Sequence, residues 1–269
     1  GCPGEMDDTA TQGTEVVPRE YSDCDPLSYE YCSLPYPSSY YEREDSTTAS
    51  GLRVHLGPTT LPADRLGNQP DPWIWNELDG FSPMAPILAQ FPDMSLDGVV
   101  GHDNIGASTA DGATIVILDV ETGERMPYFA ELDVSGLAEP GRNFLMIRPA
   151  VALRYEHHYV VAVRGLVDTA GAPIVASEGY AALRDGTPTD NWDIEGRREV
   201  YETIFATLEA DGWTRADTQL AWDFHVASVE SITGRYTQLR DDGLARLGAG
   251  GPAYEITSVD DDWDVDIYR

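Results

Sequence analysis

Lysine is absent from this chain: all 17 basic residues are arginine, set against 47 acidic ones, for a net charge of −30. That imbalance excludes a sequence-independent grip on nucleic acid, whose phosphates would repel the chain. It equally excludes charge-driven adhesion to anionic lipid. No apolar run reaches the roughly 18 residues that a membrane-spanning helix needs. Neither His-x-His nor His-Glu-x-x-His occurs among the five histidines, so the common zinc signatures are missing. Gly-x-Ser-x-Gly, the elbow that exposes a nucleophilic serine, is missing too. Gly248-Ala-Gly-Gly-Pro252 has no lysine and closes a helix, the wrong dipole end for a phosphate.

What is present suffices for a core: 42% hydrophobic and 10% aromatic residues. The acid excess has two readings, a solubilising carboxylate surface for high salt or divalent-cation binding at clustered carboxylates. The cysteines, Cys2, Cys24 and Cys32, all lie near the start. Gly1-Cys2 fits a bacterial lipoprotein signal cleaved before a lipidated cysteine, and the polar stretch after it suits a tether. A lipid on Cys2 is then the one expected membrane contact. In an exported compartment Cys24 and Cys32 are expected to form a disulfide, since a thiol metal site would need more ligands than this segment offers.

Residues 21–50 are dense in Tyr and Pro, which forbids helix and predicts an extended segment laying its aromatics on a neighbouring surface. A tyrosine platform for carbohydrate is the sharper alternative. Residues 51–56 alternate as a half-buried strand does. Between 83 and 176 apolar runs recur between turn signals: 113–120, a Glu121-Thr-Gly-Glu124 hairpin turn, a return to 134 with Pro127 at an edge, 143–149, and 157–166. Asp193 is read as capping one helix to Asp211, with Val200, Ile204 and Leu208 on its apolar stripe. A strand over 219–227 follows, with Leu220, Trp222, Phe224 and Val226 on one face and Asp223 and His225 on the other. A helix over 228–247 and a strand over 253–259 complete the pass.

Candidate chemistry is sparse. Ser108 lacks the second glycine of an elbow and precedes a strand. His157 and His158 open a strand, so their rings point to opposite faces and do not share a metal. His225 with Asp223 reads as a half-buried hydrogen-bonded pair, a catalytic dyad being the sharper alternative. Asp260, Asp261, Asp262, Asp264 and Asp266 resemble a calcium loop in spacing but lack its glycine at the sixth position and glutamate at the twelfth. A solvated acidic loop is the plainer reading, with calcium on Asp260, Asp262, Asp264 and Asp266 the sharper one; Asp103, Asp111 and Asp168 carry a weaker suggestion of the same kind. Trp73, Trp75, Phe81 and Trp263 are expected in the core rather than on a glycan.

The stretch 108–174 resembles the bacterial immunoglobulin-like module of surface proteins. Thr114-Ile-Val-Ile-Leu-Asp, Thr122-Gly-Glu, Leu145-Met-Ile-Arg-Pro, Leu153, Tyr159-Val-Val-Ala-Val-Arg-Gly-Leu and Asp168-Thr-Ala-Gly-Ala-Pro-Ile follow that module's order. With Asp79-Gly-Phe-Ser-Pro, Leu220-Ala-Trp-Asp-Phe and Arg240-Asp-Asp, the chain is similar to the β-rich N-terminal region of secreted lipoprotein hydrolases of the lipase or esterase type. In that family an α/β-hydrolase domain carrying the nucleophile follows. The resemblance implies part of a longer polypeptide whose partner is its own downstream catalytic domain, with no catalytic or cofactor-binding residue in this chain. A free-standing surface lipoprotein binding a protein, a glycan or calcium is the alternative.

The expected fold is mainly β with some α: an immunoglobulin-like β-sandwich plus two helices packed against a strand-containing C-terminal segment. It divides into a tether (1–20), a disulfide-stapled segment (21–82), the sandwich (83–185) and an α+β segment (186–269). If the aspartate run binds calcium, thermal melts in calcium will exceed those in EGTA by several degrees; coincident melts remove the site.

Overall fold

The computed structural model describes residues 22–28, 30–133 and 144–257, with the backbone alone at 259–260 and 267–268. In chain order the strands are β1 (Glu42–Glu44), β2 (Leu52–Val54), β3 (Ile87–Gln90), β4 (Ile115–Asp119), β5 (Tyr128–Leu132), β6 (Phe144–Pro149), β7 (His158–Arg164), β8 (Thr218–His225), β9 (Val259–Asp260) and β10 (Ile267–Tyr268). The helices are α1 (Glu178–Asp185), α2 (Trp192–Glu195), α3 (Arg198–Ala210) and α4 (Val229–Leu247). The fold is therefore mixed α/β, with strands dominant.

Two three-stranded antiparallel sheets, ordered β3-β6-β5 and β4-β7-β8, form the body, alongside the β1-β2 and β9-β10 pairs. The apolar run Ile115-Val-Ile-Leu, three of its four residues β-branched, is buried along its length, as is Tyr159–Val163 of the central β7. A strand buried on both faces shows continuous apolarity rather than alternation. After β4 the chain turns at Gly123, whose φ of 70° suits glycine, and passes into β5 on the other sheet. Among the described strands β5 pairs with β6 alone, the edge position that Pro127 predicts. The Tyr128 hydroxyl donates to the Ile115 carbonyl at 3.0 Å, tying one sheet to the other. Residues of both sheets and of α3 belong to one contiguous core, each large side chain contributing about 1.5–3 kcal/mol by burial.

Helix α3 packs Tyr201, Ile204, Phe205 and Leu208 inward, and the Tyr201 hydroxyl donates to the Ala221 carbonyl of β8 at 2.9 Å. Residues 193–211 do not form the single Asp193-capped helix expected. Asn191 caps the short α2 through two backbone N–H groups, and the helix stops at Gly196 before α3 restarts. Arg197 occupies that break because its guanidinium is needed inside the protein rather than on a helix surface. Helix α1, which no periodicity in so short a run announces, is capped by Ser177. Residues 253–257 carry no strand, contrary to expectation; only Val259–Asp260 is extended. Helix α4 runs from its Ser228 cap to Gly248 as expected, but none of its residues is buried.

The N-terminal segment is laced into this body. Cys24 and Cys32 are bonded, S–S 2.11 Å. Two cis peptide bonds precede Pro35 and Pro37, and Tyr40 and Tyr41 lie buried in the core, which removes them from any carbohydrate platform. Asp25 meets the Arg197 guanidinium at 2.9 Å with both side chains shut from water. Burial pushes the Asp25 carboxyl up, while Arg197, the Leu27 N–H and the Ser38 hydroxyl oppose the rise. At Gly179 a side chain would collide with the Pro26 carbonyl oxygen, so α1 and this segment approach as closely as backbones allow.

Removing one partner of a buried ion pair strands the other. Arg197→Met is expected to cost about 3–5 kcal/mol in urea unfolding, whereas Arg53→Met, which breaks the solvent-screened pair with Asp45, costs far less. Equal losses would show that the buried pair holds nothing special.

Candidate functional site

Where β4 ends and β7 begins, the apolar run gives way to a cluster of carboxylates and imidazoles. Asp119 closes β4 and is fully buried. It accepts hydrogen bonds from Arg154 Nη1 (2.7 Å), the Thr122 N–H (3.1 Å) and the Tyr159 hydroxyl (3.2 Å). His157 Nδ1 lies 3.0 Å from its Oδ2 and 3.1 Å from its Oδ1. Burial alone would raise this carboxyl, but the hydrogen bonds from Arg154, His157 and Thr122 hold it down at about 2. The Glu121 carboxylate receives the His158 backbone N–H on both oxygens and reaches within 3.6 Å of His157 Nδ1.

His157 and His158 diverge, as alternation along a strand requires. The His158 ring turns the other way, its Nε2 2.8 Å from Asp223 Oδ2. It stacks on His225, its register partner across the β7–β8 ladder, with ring centroids 4.2 Å apart and planes 11° from parallel. The expected Asp223–His225 hydrogen bond is not formed. Successive same-face residues on one strand both turn to partners elsewhere: Asp223 takes His158 and the Ser39 hydroxyl (2.5 Å). His225 takes Glu42, through Nδ1 at 2.6 Å and its own N–H at 2.9 Å. Ser39 and Glu42 belong to the N-terminal segment, so the Glu42–His225 pair and the Ser39–Asp223 hydrogen bond clamp that segment to β8.

Chemically the cluster can hold charge and protons. Its serine is bonded to a carboxylate and not to an imidazole, an order that does not deprotonate a hydroxyl for attack. Ser108, considered from sequence, is buried, and its oxygen accepts the Tyr128 N–H at 3.0 Å. His55 and His102 are exposed. Asp168 accepts its own loop's Ala170 and Ala172 N–H groups, Asp111 pairs with Arg125, and Asp103 is exposed; the three do not converge. Trp73 and Trp75 are exposed rather than in the core as expected, because a short 3₁₀ turn at Pro72–Ile74 holds them on the surface; Phe81 is buried. Cys2, Trp263, Asp261, Asp262, Asp264 and Asp266 lie outside the described residues, as does the side chain of Asp260. Asp119, Glu121, Glu42 and Ser39 are the members that sequence reasoning missed. The one signal available was Asp119, a lone acid ending an otherwise apolar strand.

Set against known protein families and against curated proteins, the chain matches none of them.

His225 supplies a test of the clamp. Its burial lowers the imidazole's proton affinity, but the Glu42 hydrogen bond and charge, with Asp223 and Glu121 behind it, raise it overall above the ordinary value. A raised folded-state value means the Glu42–His225 attraction is fully present below the unfolded value of about 6.5. It is lost as pH rises through the folded value. The stability gap between wild type and Glu42→Gln is therefore expected to be widest in acid and to narrow toward alkaline pH, read by urea unfolding at stepped pH. A gap of constant size would remove the proton-linked clamp.

Proposed function

We propose that this chain is a non-catalytic accessory region of an exported, lipid-anchored bacterial hydrolase of the lipase or esterase type, and that a catalytic domain of the same polypeptide packs on α4. The observation that carries the reading is the outer stripe of α4. Val229, Ile232, Tyr236, Leu239 and Leu247 recur at helical spacing, yet Tyr236 is 76% and Leu239 61% exposed. The helix is tied to the body at its start, where Asp79 accepts the Ser228 N–H and Ser231 hydroxyl oxygen accepts the Asp79 N–H. A 19-residue helix with an uncovered apolar face has the character of a docking element.

The residues that carry the family resemblance support the same reading by their placement. Thr114–Asp119, Thr122–Glu124, Leu145–Pro149 and Tyr159–Leu166 fall on β4, its turn, β6 and β7. The reading takes the two three-stranded sheets as the faces of an immunoglobulin-like sandwich and assigns the protein to the outside of the cell, tethered through lipid on Cys2. The Cys24–Cys32 bond is consistent with that compartment.

The test compares this chain with the longer product of its gene. Residues 229–247 are expected to gain protection from hydrogen exchange in the longer product, and p-nitrophenyl ester hydrolysis to appear only there. Ester turnover by this chain alone, abolished by a serine-directed phosphonate, would overturn the proposal, as would a longer product without Gly-x-Ser-x-Gly.

A further inference from the structure

We infer that Asp119, Glu121 and His157 form a binding site for a divalent transition-metal ion of the zinc class, bridging the turn after β4 to the head of β7. The three side chains each place one donor atom within 4.8 Å of the other two. Ligands bound at about 2.0–2.2 Å around one ion stand roughly 3.0–3.5 Å from each other in octahedral or tetrahedral arrangements. His157 Nδ1 already stands 3.1 Å from Asp119 Oδ1 and 3.6 Å from Glu121 Oε2. The ring and two carboxylates are thus spaced as neighbours in a coordination shell.

The surroundings are those of a supported site. Arg154 and the Tyr159 hydroxyl both bind Asp119 Oδ2, and His157 Nδ1 faces the two carboxylate oxygens, 3.1 Å from Oδ1 and 3.0 Å from Oδ2. Oδ1 also accepts the Thr122 N–H, and a carboxylate oxygen with two lone pairs can serve both. The Tyr159 hydroxyl and Arg154 fix the Asp119 carboxylate, the His158 N–H fixes that of Glu121, and the His157 ring lies over Tyr159 with planes 28° apart. Outer-shell hydrogen bonds of this kind orient ligands and tune affinity. Charge also fits: Asp119, Glu121 and Glu124 bring three negative charges and Arg154 one positive. With His157 neutral the cluster is two charges short of balance, the charge of the ion. An imidazole nitrogen beside two carboxylates favours zinc, cobalt or manganese over calcium, which prefers an all-oxygen shell.

The experiment titrates the intact, chelator-stripped chain with zinc, and separately with manganese and calcium, by isothermal calorimetry and thermal melting. One zinc ion per chain at micromolar concentration is expected, with calcium much weaker. Glu121→Gln and His157→Gln should each weaken zinc by about tenfold or more. Replacing Asp260, Asp262, Asp264 and Asp266 together by Asn should leave zinc binding unchanged. Glu121 is on the surface, so its variant keeps the fold, checked by circular dichroism in chelator. Zinc binding no tighter than millimolar, or equal affinity in wild type and Glu121→Gln, would overturn the assignment. So would loss of zinc binding in the aspartate-run variant.

Discussion

The ion pair between Asp25 and Arg197 is the contact on which the arrangement of this protein turns. Both charges are removed from water, so each can persist only against the other. Arg197 sits at the break between two helices, flanked by the rings of Tyr40 and Tyr201 at 5.1 and 5.2 Å. Asp25 sits inside the disulfide loop. Their contact pins the N-terminal segment against α3, and the neighbouring bonds follow from it: the Ser38 hydroxyl to Asp25, the Tyr41 hydroxyl to the Cys32 carbonyl, and the Trp222 indole to the Pro37 carbonyl.

The lack of lysine shapes the rest of the polar interior. In a protein this acidic, a buried carboxylate needs a cation with several donors, and the arginines provide it. Arg125 grips Asp211 through Nε and returns to its carbonyl through Nη2. At the surface, Arg215 binds both oxygens of the exposed Glu202 while lying 4.0 Å over the Phe205 ring. Histidines take the remaining places. Glu42, Asp119 and Asp223 each face an imidazole, and these pairs run together along the end of the β4-β7-β8 sheet. The polar edge is thus continuous from the N-terminal segment to the turn after β4.

Much of this was legible in the residues and some was not. The hairpin glycine at 123, the Pro127 edge and the opposed rings of His157 and His158 are local facts, set by φ, by a missing N–H or by strand alternation. The break at Gly196–Arg197 was not read from the sequence, because periodicity runs straight across it; Gly196 ends α2 there and Arg197 turns inward. The partner of His225 was hidden for a plainer reason. Glu42 is 183 residues away in sequence, and a strand pattern names the face a side chain takes but not what waits there. Trp73 and Trp75 misled because composition alone favours burial, whereas a three-residue turn decides otherwise.

The distance from Glu42 to His225 also bears on the order in which the molecule assembles. Residues 22–44 precede their docking surface on β8 and α3, which is not complete until some 180 residues later in the chain. Closing so long a loop is entropically slow. Within this chain the segment is made before the strand it docks on, so until β8 follows, its tyrosines lack the surface that buries them.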